Sequence, residues 1–168
     1  MFKYCPQCKS EISKKHIHYW CKTCGFDYYA NPAIGAAVIL LNNKNQIFLG
    51  KREHEPRAGF WETPGGFVDI KERAEDAVKR EIKEELNVDV TEMKYFCSYP
   101  NSYYFKGTQY YPLDLFFIAK TDQNHSSVNL NEEFSEGRFF NLKEIPFEEL
   151  AFESQKRALD DYIKLERK

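Results

Sequence analysis

Four of the five cysteines lie within the first 24 residues, and their spacing constrains the fold of this segment more than any other feature of the chain. They form two C-x2-C pairs, Cys5 with Cys8 and Cys21 with Cys24, separated by 12 residues. Each pair can place two thiolates on one tight turn, and two such turns complete a tetrahedral site for Zn²⁺. Two disulfides are the alternative, but they are rare in a reducing cytoplasm. We therefore predict a zinc ribbon over residues 1–30, held together by a structural metal because so short a segment has no core of its own.

The composition of the chain is that of a globular protein, and it argues against two classes of partner. Of the 168 residues, 42% are hydrophobic, which is enough to form a sizeable core. The longest apolar run, residues 33–41, is far shorter than the ~20 residues of a membrane span, and the first residues lack the apolar segment of a signal peptide. The net charge of −2 gives no support to bulk binding of nucleic acid. We expect a cytoplasmic protein with neither a membrane nor a nucleic acid as its partner.

Hydrophobic patterning divides the rest of the chain into strands and two helices. Residues 27–32 end in Asn-Pro, which breaks regular structure, so we place a linker there and begin the second domain at residue 31. One helix is predicted over 73–86, where apolar residues recur every four positions, and a second over 153–168. Strands are predicted over 33–41, 46–52, 95–104, 110–120 and 138–141, with the third and fourth meeting at Lys106-Gly107.

The first predicted helix carries three glutamates at positions i, i+3 and i+4. These are Glu81, Glu84 and Glu85, and on a helix they fall within one sector of about 100°. Like charges at such spacings cost ~0.2–0.5 kcal/mol per pair, and only Arg80, four residues before Glu84, offers a partner within the helix. Carboxylate clusters of this kind suit Mg²⁺ or Mn²⁺. A solvated acidic face is the alternative interpretation of the same pattern.

A pair of glycines, Gly65 and Gly66, ends a strand just before this helix. A backbone without Cβ atoms can approach a metal or a phosphate closely. Together with the glutamates, these residues resemble the box of the Nudix hydrolases, G-x5-E-x7-R-E-U-x-E-E-x-G-U, in which U is bulky and aliphatic. Asn87 replaces the last glycine, and asparagine also tolerates the left-handed conformation that ends a helix. The matching residues are Gly66, Glu72, Arg80, Glu81, Ile82, Glu84, Glu85 and Val88.

The resemblance implies both a fold and a reaction for residues 31–168. Nudix proteins are α/β/α sandwiches, so we expect an α+β domain with a mixed sheet. The implied reaction is the attack of water on the pyrophosphate of a nucleoside diphosphate linked to a group X, with catalytic Mg²⁺ or Mn²⁺. The products are a nucleotide and a phosphorylated X. A small-molecule nucleotide substrate is therefore expected, and homodimerisation is a further expectation from the family.

The resemblance also implies roles for particular residues. Arg80 would orient the glutamates, whereas Glu72 is either a member of the box or the partner of Asp69 in a helix capping box. A late loop would supply the general base, for which Glu133 is the first candidate and Glu136 the second. The implied catalytic residues are thus Arg80, Glu84 and Glu133, and the implied metal ligands are the Gly65 carbonyl with the carboxylates of Glu81, Glu84 and Glu85.

The cysteine ribbon narrows the comparison, because the chain is similar to the zinc-containing NADH pyrophosphatases. Those enzymes carry S-Q-P-W-P-F-P-x-S shortly after the box, and residues 98–106 here agree only at Ser98, Pro100 and the aromatic Tyr103. Tyr99 and Tyr103 could stack on a base of the substrate, and packing within a hairpin is the alternative. Arg52, at the end of a predicted strand, could meet substrate phosphate or lie at the surface.

Three functions remain open from the sequence. The first is a pyrophosphatase for ADP-ribose or an NADH-type dinucleotide. The second is a nucleoside triphosphate pyrophosphohydrolase that uses the same box and releases inorganic pyrophosphate. The third is a module in which the ribbon binds nucleic acid or protein and the Nudix part is a non-catalytic scaffold.

Overall fold

The computed structural model describes residues 2–122 and 130–167. The chain forms two compact units, Met1–Pro32 and Ala33–Lys168. The first unit contains a three-stranded antiparallel sheet in the order β1-β2-β3. Its strands are β1 (Ser13–Lys15), β2 (His18–Trp20) and β3 (Asp27–Tyr29).

Two tight turns of the first unit repeat the same backbone hydrogen bonds. In the first turn, the amide of Cys5 donates to the Ser10 carbonyl at 2.8 Å and the amide of Lys9 donates to the Cys5 carbonyl at 3.0 Å. The second turn repeats this pair of bonds from the amides of Cys21 and Gly25. Lys9 and Gly25 have positive φ angles of 64° and 75°, so both turns close through a left-handed residue. The C-x2-C spacing therefore produces two equivalent turns.

The second unit is built on one mixed sheet in the order β12-β5-β4-β11-β8, with β6 paired to β5 and β7 paired to β4. Strands β4 and β11 are parallel, and the other pairs are antiparallel. The strands of this sheet are β4 (Ile34–Leu41), β5 (Ile47–Arg52), β6 (Trp61–Glu62), β7 (Gly65–Phe67), β8 (Thr91–Pro100), β11 (Leu113–Lys120) and β12 (Phe134–Phe140). Two strands form a separate hairpin, β9 (Tyr103–Phe105) and β10 (Thr108–Tyr110), and the helices are α1 (Ala74–Leu86) and α2 (Glu153–Glu166).

Both faces of the sheet are covered by a helix. Side chains alternate along a strand, so Val38 and Leu40 of β4 enter one core while Ile39 and Leu41 enter the other. Burial on both faces explains why β4 is apolar at every position from 38 to 41. The first core includes Val78, Ile82 and Leu86 of α1, and the second includes Leu159, Tyr162 and Ile163 of α2. The predicted α/β/α sandwich with a mixed sheet is confirmed.

The region between residues 95 and 120 differs from the two long strands that the sequence predicts. Strand β8 ends at Pro100 and β11 begins at Leu113, so the hairpin β9–β10 forms a sheet of its own. Proline has no amide hydrogen to donate to a ladder, and Pro100 and Pro112 lie at this break. The buried side chain of Asn101 accepts a hydrogen bond from the Ser102 amide at 2.8 Å, which turns the chain out of the main sheet.

Candidate functional site

The Glu72 side chain closes the turn before α1 but does not belong to the cap of the helix. Helix α1 has Arg73 at its N-cap, with no hydrogen bond from that side chain. The Glu72 carboxylate instead accepts from the Asp69 amide at 2.9 Å and from Nε and Nη2 of Arg80 at 2.9 and 3.0 Å. The hydrogen bonds from Arg80 favour the ionised form and lower the pKa of Glu72 to about 2. The capping-box interpretation is therefore corrected, because the N-cap of the helix is Arg73, four residues after Asp69, and the Glu72 carboxylate binds Arg80.

Arg80 is the internal cation of this region. Besides Glu72, its Nη1 donates to Glu81 Oε1 at 2.7 Å and to Glu84 Oε2 at 3.4 Å, and its Nη2 donates to the Phe67 carbonyl at 3.1 Å. Hydrogen bonds to Glu72 and Glu81 raise the pKa of Arg80 further above its ordinary value. A planar guanidinium with several fixed donors can bridge so many acceptors at once, whereas a lysine ammonium cannot. The side chain of Arg80 therefore fixes how the first two glutamates of the trio are oriented.

Glu85 differs from the other two glutamates because it is buried. Only 2% of the residue is exposed, and its Oε2 accepts a hydrogen bond from the Gly65 amide at 3.0 Å. Burial, together with the charge of nearby Glu62, raises the pKa of Glu85 well above its usual range. Within residues 2–122 and 130–167, no lysine, arginine or histidine forms an ion pair with Glu85. A buried carboxylate in this situation is stabilised by an added cation.

The glycine pair lies in direct contact with these groups. Gly65 has a φ of 140°, and a Cβ there would lie 2.3 Å from the Ala36 carbonyl oxygen on the neighbouring strand β4. A Cβ on Gly66 would lie 2.4 Å from Glu81 Oε1 and 2.5 Å from Glu81 Cδ. Both positions therefore need a bare backbone, Gly65 for the sheet and Gly66 for the Glu81 carboxylate.

The three glutamates differ in how much of each side chain is exposed to solvent. The side chain of Glu84 is 58% exposed and that of Glu81 is 16% exposed, while Glu85 points into the interface with β7. In the described part of the chain, the four ribbon cysteines are the one group whose ligand atoms all lie within 4.8 Å of one another. The glutamates are spread because Arg80 holds two of them and the Gly65 amide holds the third. Their oxygen donors still match Mg²⁺ or Mn²⁺, which keep waters and substrate oxygens as further ligands.

Replacing Gly66 with alanine tests whether the position of the Glu81 carboxylate matters. The φ of Gly66 does not lie in the left-handed region, so the backbone accepts alanine and the new Cβ acts mainly by displacing Glu81. We expect kcat of the Mg²⁺-dependent reaction that the sequence resemblance implies to fall by about 10²-fold, because a displacement of ~1 Å can have that effect. Steady-state kinetics with Mg²⁺ measure kcat, and a thermal unfolding curve shows whether the variant is as stable as the wild type.

Gly25→Ala is the matched control for Gly66→Ala. Gly25 has a φ of 75° and open space around its position, so alanine there strains only the second turn of the ribbon. The control should lower the stability of the first unit and leave kcat unchanged. A Gly66→Ala protein with wild-type kcat would show that the Glu81 carboxylate lies outside the reacting centre.

A cleft of about 340 Å³ adjoins the glycine pair, and several aromatic side chains line it. Tyr103 stacks on Tyr110 with ring centroids 5.3 Å apart, and its ring centroid lies 5.4 Å from that of Phe152. The sequence prediction included Tyr103 but missed Tyr110, on the far strand of the hairpin, and Phe152, the residue before α2. The aromatic lining consists of Phe67, Tyr103, Phe105, Tyr110 and Phe152.

The two other residues predicted to bind substrate lie in different places. Arg52 lines the cleft, but its Nη1 lies 2.5 Å from Glu62 Oε1 and its Nε donates to the Pro56 carbonyl at 2.7 Å. The buried Glu62, which the sequence analysis missed, therefore neutralises Arg52 at the cleft wall. Tyr99 does not line this cleft, and its hydroxyl donates to Asp161 of α2. Tyr99 has this different environment because it lies on β8, outside the hairpin.

Backbone hydrogen bonds of Glu133 and of the nearby Asn131 hold this segment close to the glutamates. The Glu133 carbonyl accepts from the Glu53 amide at 2.9 Å, and the Asn131 amide donates to the Glu85 carbonyl at 3.0 Å. The Glu133 side chain is exposed, yet its charge contributes to the raised pKa values of Glu81 and Glu85. The late loop therefore brings one more carboxylate within electrostatic range of the cluster.

The four ribbon cysteines meet as a compact sulfur site. Sγ of Cys5 lies 3.6 Å from Sγ of Cys24, and Sγ of Cys8 lies 3.5 Å from Sγ of Cys21. A tetrahedral Zn²⁺ with bonds of ~2.3 Å requires sulfurs roughly 3.8 Å apart. All four thiols are free of disulfides. Hydrogen bonds from Ser10 lower the pKa of Cys8 to about 6, whereas burial and the neighbouring sulfurs raise that of Cys24 to about 12, as expected where thiolates crowd together. The donor set and spacing fit zinc.

Comparison with known proteins gives consistent matches. The family model for the NUDIX domain matches residues 31–162. A protein named NAD-capped RNA hydrolase NudC from Vibrio vulnificus is 32% identical over 100 residues, which cover 58% of this chain and 38% of that protein. A protein of the same name from Vibrio parahaemolyticus is 27% identical over 148 residues, which cover 86% of this chain and 53% of that protein. This chain thus spans at most about half the length of these curated relatives. The crystal structure of a NUDIX hydrolase from Nitrosomonas europaea has a TM-score of 0.69 and 26% identity, covering 97% of this chain and 91% of the other. The chain belongs to the NUDIX domain family.

Proposed function

We propose that this protein hydrolyses the pyrophosphate bond of a nucleoside diphosphate linked to a group X, with Mg²⁺ or Mn²⁺. NADH-type dinucleotides and ADP-ribose are the first candidate substrates. The observation that carries the proposal is Glu85, a buried carboxylate with no cationic partner among the described residues, located at a bare glycine corner beside an aromatic cleft. The relatives named as NAD-capped RNA hydrolases support an NAD-type substrate.

The residues around the glycine corner fit a site for divalent cations. The Gly65 carbonyl and the carboxylates of Glu81, Glu84 and Glu85 would hold the ions, and this all-oxygen set suits hard cations. The chemistry that such ions supply is neutralisation of the pyrophosphate oxygens and a lower pKa for a bound water. Arg80 acts as a positioning residue, since its hydrogen bonds to Glu81 and Glu84 set the direction of both carboxylates.

Glu133 is the proposed general base. It would take a proton from the attacking water while the new oxygen–phosphorus bond forms and the bridging oxygen leaves with the second phosphate. Support comes from its electrostatic influence on Glu81 and Glu85. Glu136, the second candidate, lies within β12 opposite Lys51 of β5, so the sheet ladder restrains its backbone.

A panel of substrates with products identified by mass tests the proposal. It should contain NADH, NAD, ADP-ribose, the common nucleoside triphosphates and an RNA oligonucleotide with a 5′ NAD cap. Release of AMP together with a phosphorylated partner from NADH or ADP-ribose would support it. Release of inorganic pyrophosphate from a triphosphate would favour the triphosphate reaction. The absence of any Mg²⁺-dependent product would favour a binding module on a non-catalytic scaffold.

The capped RNA is included because of the names of the curated relatives. The net charge of −2 argues against general affinity for RNA, so the expected outcome is recognition of the NAD end alone. Cleavage of the capped oligonucleotide that is insensitive to the sequence of the RNA would agree with this expectation.

The ribbon and the assembly state belong to the same proposal. We propose that Cys5, Cys8, Cys21 and Cys24 hold one structural Zn²⁺ within residues 1–30 and that residues 31–168 carry the hydrolase. No helix in the described portion of the chain has the length and apolar character needed to cross a membrane. A cytoplasmic location and homodimerisation remain predictions, and light scattering on the purified protein measures the second.

A further inference from the structure

Two buried polar atoms of residues that line the cleft have no hydrogen-bond partner within the protein. They are Thr63 Oγ1 and Gln155 Oε1, and within residues 2–122 and 130–167 no other buried side-chain nitrogen or oxygen is left unpaired. Thr63 is 1% exposed and Gln155 is 5% exposed, and both line the aromatic cleft. Buried polar groups are nearly always paired, so two exceptions in one cavity indicate a missing polar partner there.

The orientation of the Gln155 amide is fixed by its neighbour. Burial raises the pKa of Glu62, and the Arg52 guanidinium and a hydrogen bond from Gln155 oppose that rise. A hydrogen bond that favours the ionised carboxylate is one that the carboxylate accepts, so the NH₂ group of Gln155 faces Glu62. The unpaired atom is therefore an oxygen, and Gln155 offers the cleft an acceptor.

Asp114 adds a second acceptor to the same wall. Its Oδ2 accepts hydrogen bonds from Asn101 Nδ2 at 2.9 Å and from Ser154 Oγ at 2.6 Å. The carboxylate packs against the bare backbone of Gly35, where a Cβ would lie 2.5 Å from Oδ1. Asp114 and Gly35 both line the cleft. The carboxylate is thus fixed in place by buried neighbours.

We infer that this wall, formed by Thr63, Asp114 and Gln155, selects a ring that carries an NH₂ group. The aromatic side chains provide flat surfaces on which a ring can stack. Asp114 and Gln155 provide oxygen acceptors, which require hydrogen-bond donors from the ligand, and the Thr63 hydroxyl can both donate and accept. Adenine and nicotinamide share this chemistry, as an exocyclic amine and a carboxamide. The inference rests on the proposed function, because it names the part of the nucleotide that enters the cleft.

The same wall disfavours analogues that lack the donor. Hypoxanthine has a carbonyl oxygen where adenine has its amine, and nicotinic acid has a carboxylate where nicotinamide has its carboxamide. At the position of the NH₂ group, each analogue would set an oxygen against the oxygens of Asp114 and Gln155, so the exocyclic donor that pairs with these acceptors is lost. Buried polar groups left unpaired are the main source of discrimination between such ligands.

Binding of mononucleotides to the full zinc-loaded chain tests the inference without catalysis. Calorimetry in buffer without added Mg²⁺ would compare AMP with IMP, and nicotinamide mononucleotide with nicotinic acid mononucleotide. We expect the NH₂-bearing member to bind at least about tenfold more tightly in one of the two pairs, the typical effect of a hydrogen bond to a charged group. The pair that shows the preference identifies which ring enters.

Two substitutions connect the preference to this wall. Asp114→Asn keeps the shape of the side chain but replaces one acceptor with a donor, so the preference should shrink toward unity. Thr63→Val removes a hydroxyl with no partner in the described protein, so affinity should fall while the thermal midpoint stays equal or rises. Asp89→Asn is the control, since Asp89 is exposed and pairs only with Lys83 at 3.1 Å, and it should change neither quantity.

Equal affinities within both pairs would overturn the inference, as would the failure of all four mononucleotides to bind at millimolar concentration. A preference that persists in both Asp114→Asn and Thr63→Val would also overturn it. The result is separable from the proposed function. Hydrolysis of dinucleotides without any AMP or nicotinamide preference removes the inference alone, and a clear preference without Mg²⁺-dependent hydrolysis removes the proposed reaction alone.

Discussion

Replacing Glu85 with glutamine is expected to lower Mg²⁺-dependent hydrolysis by 10²–10³-fold, on the order of the loss seen when one electrostatic group of an active site is removed. The substitution keeps the hydrogen bond from the Gly65 amide, because the glutamine oxygen can accept it. It removes the negative charge that would hold the cation. Single-turnover kinetics and calorimetric titration with Mn²⁺ measure the rate and the ion uptake.

The same substitution should make the metal-free protein more stable. Burial raises the pKa of Glu85, so ionisation of this group at neutral pH is less favourable in the folded chain than in the unfolded chain. This effect destabilises the folded chain increasingly as the pH rises from the pKa of Glu85 in the unfolded chain toward its higher pKa in the folded chain. Glutamine cannot ionise, so the substitution removes the effect. Thermal unfolding without divalent cations should therefore give a higher midpoint for Glu85→Gln than for the wild type at pH 7.

Glu75→Gln is the matched control for Glu85→Gln. Glu75 lies in the first turn of the same helix, its side chain is 45% exposed, and it pairs only with Arg73 at 3.6 Å. It should alter neither the rate nor the uptake of Mn²⁺. Full Mg²⁺-dependent activity in Glu85→Gln, with activity unchanged in Glu75→Gln, would contradict the assigned metal site.

Removal of zinc is expected to unfold the unit Met1–Pro32 and leave the unit Ala33–Lys168 folded, with part of its hydrolysis retained. Metal binding in small zinc peptides is worth on the order of 10 kcal/mol, and a three-stranded sheet of three-residue strands cannot replace it. The second unit has two buried cores of its own. Zinc would be removed with a zinc-selective chelator, in the presence of excess Mg²⁺ so that the site in the second unit stays supplied with its cation.

The two tryptophans of the chain report on the two units separately. Trp20 lies in β2 of the ribbon and Trp61 is buried in the second unit. With Trp61 replaced by phenylalanine, fluorescence should change on chelation. With Trp20 replaced, it should stay constant.

Cys21→Ser should reproduce the effect of chelation, and Cys97→Ser is its control. Cys97 lies in β8, outside the four-cysteine group. The Cys97→Ser protein should keep the zinc content of the wild type, which we expect to be one ion per chain. Loss of all hydrolysis on chelation, with Trp61 fluorescence unchanged, would mean that the ribbon takes part in the reaction.

The parts of the protein that the sequence could predict depend on local spacing. The ribbon cysteines and the helix with its glutamates were identified because each pattern is set by residues within one turn or a few turns. The alternate burial of β4 follows from the same kind of rule. By contrast, the break at Asn101 depends on a side chain that accepts from the backbone, and that competition was not visible in the hydrophobic pattern.

The contacts of single side chains could not be predicted where they depend on packing between distant segments. Tyr99 and Tyr103 are four residues apart, yet one bonds to α2 and the other lines the cleft. The difference between Glu84 and Glu85 also depends on β7, which covers one and not the other.

By itself, the sequence determined the grouping of four cysteines in two tight turns and the order of the box residues along their helix, because covalent spacing fixes which side chains can share a turn. The tertiary structure alone decided the burial of Glu85, the pairing of Arg52 with Glu62 and the meeting of Thr63, Asp114 and Gln155 at one wall. These residues come from three strands, from both helices and from the segment between β6 and β7, so only the packing of these elements brings them together and removes water from between them.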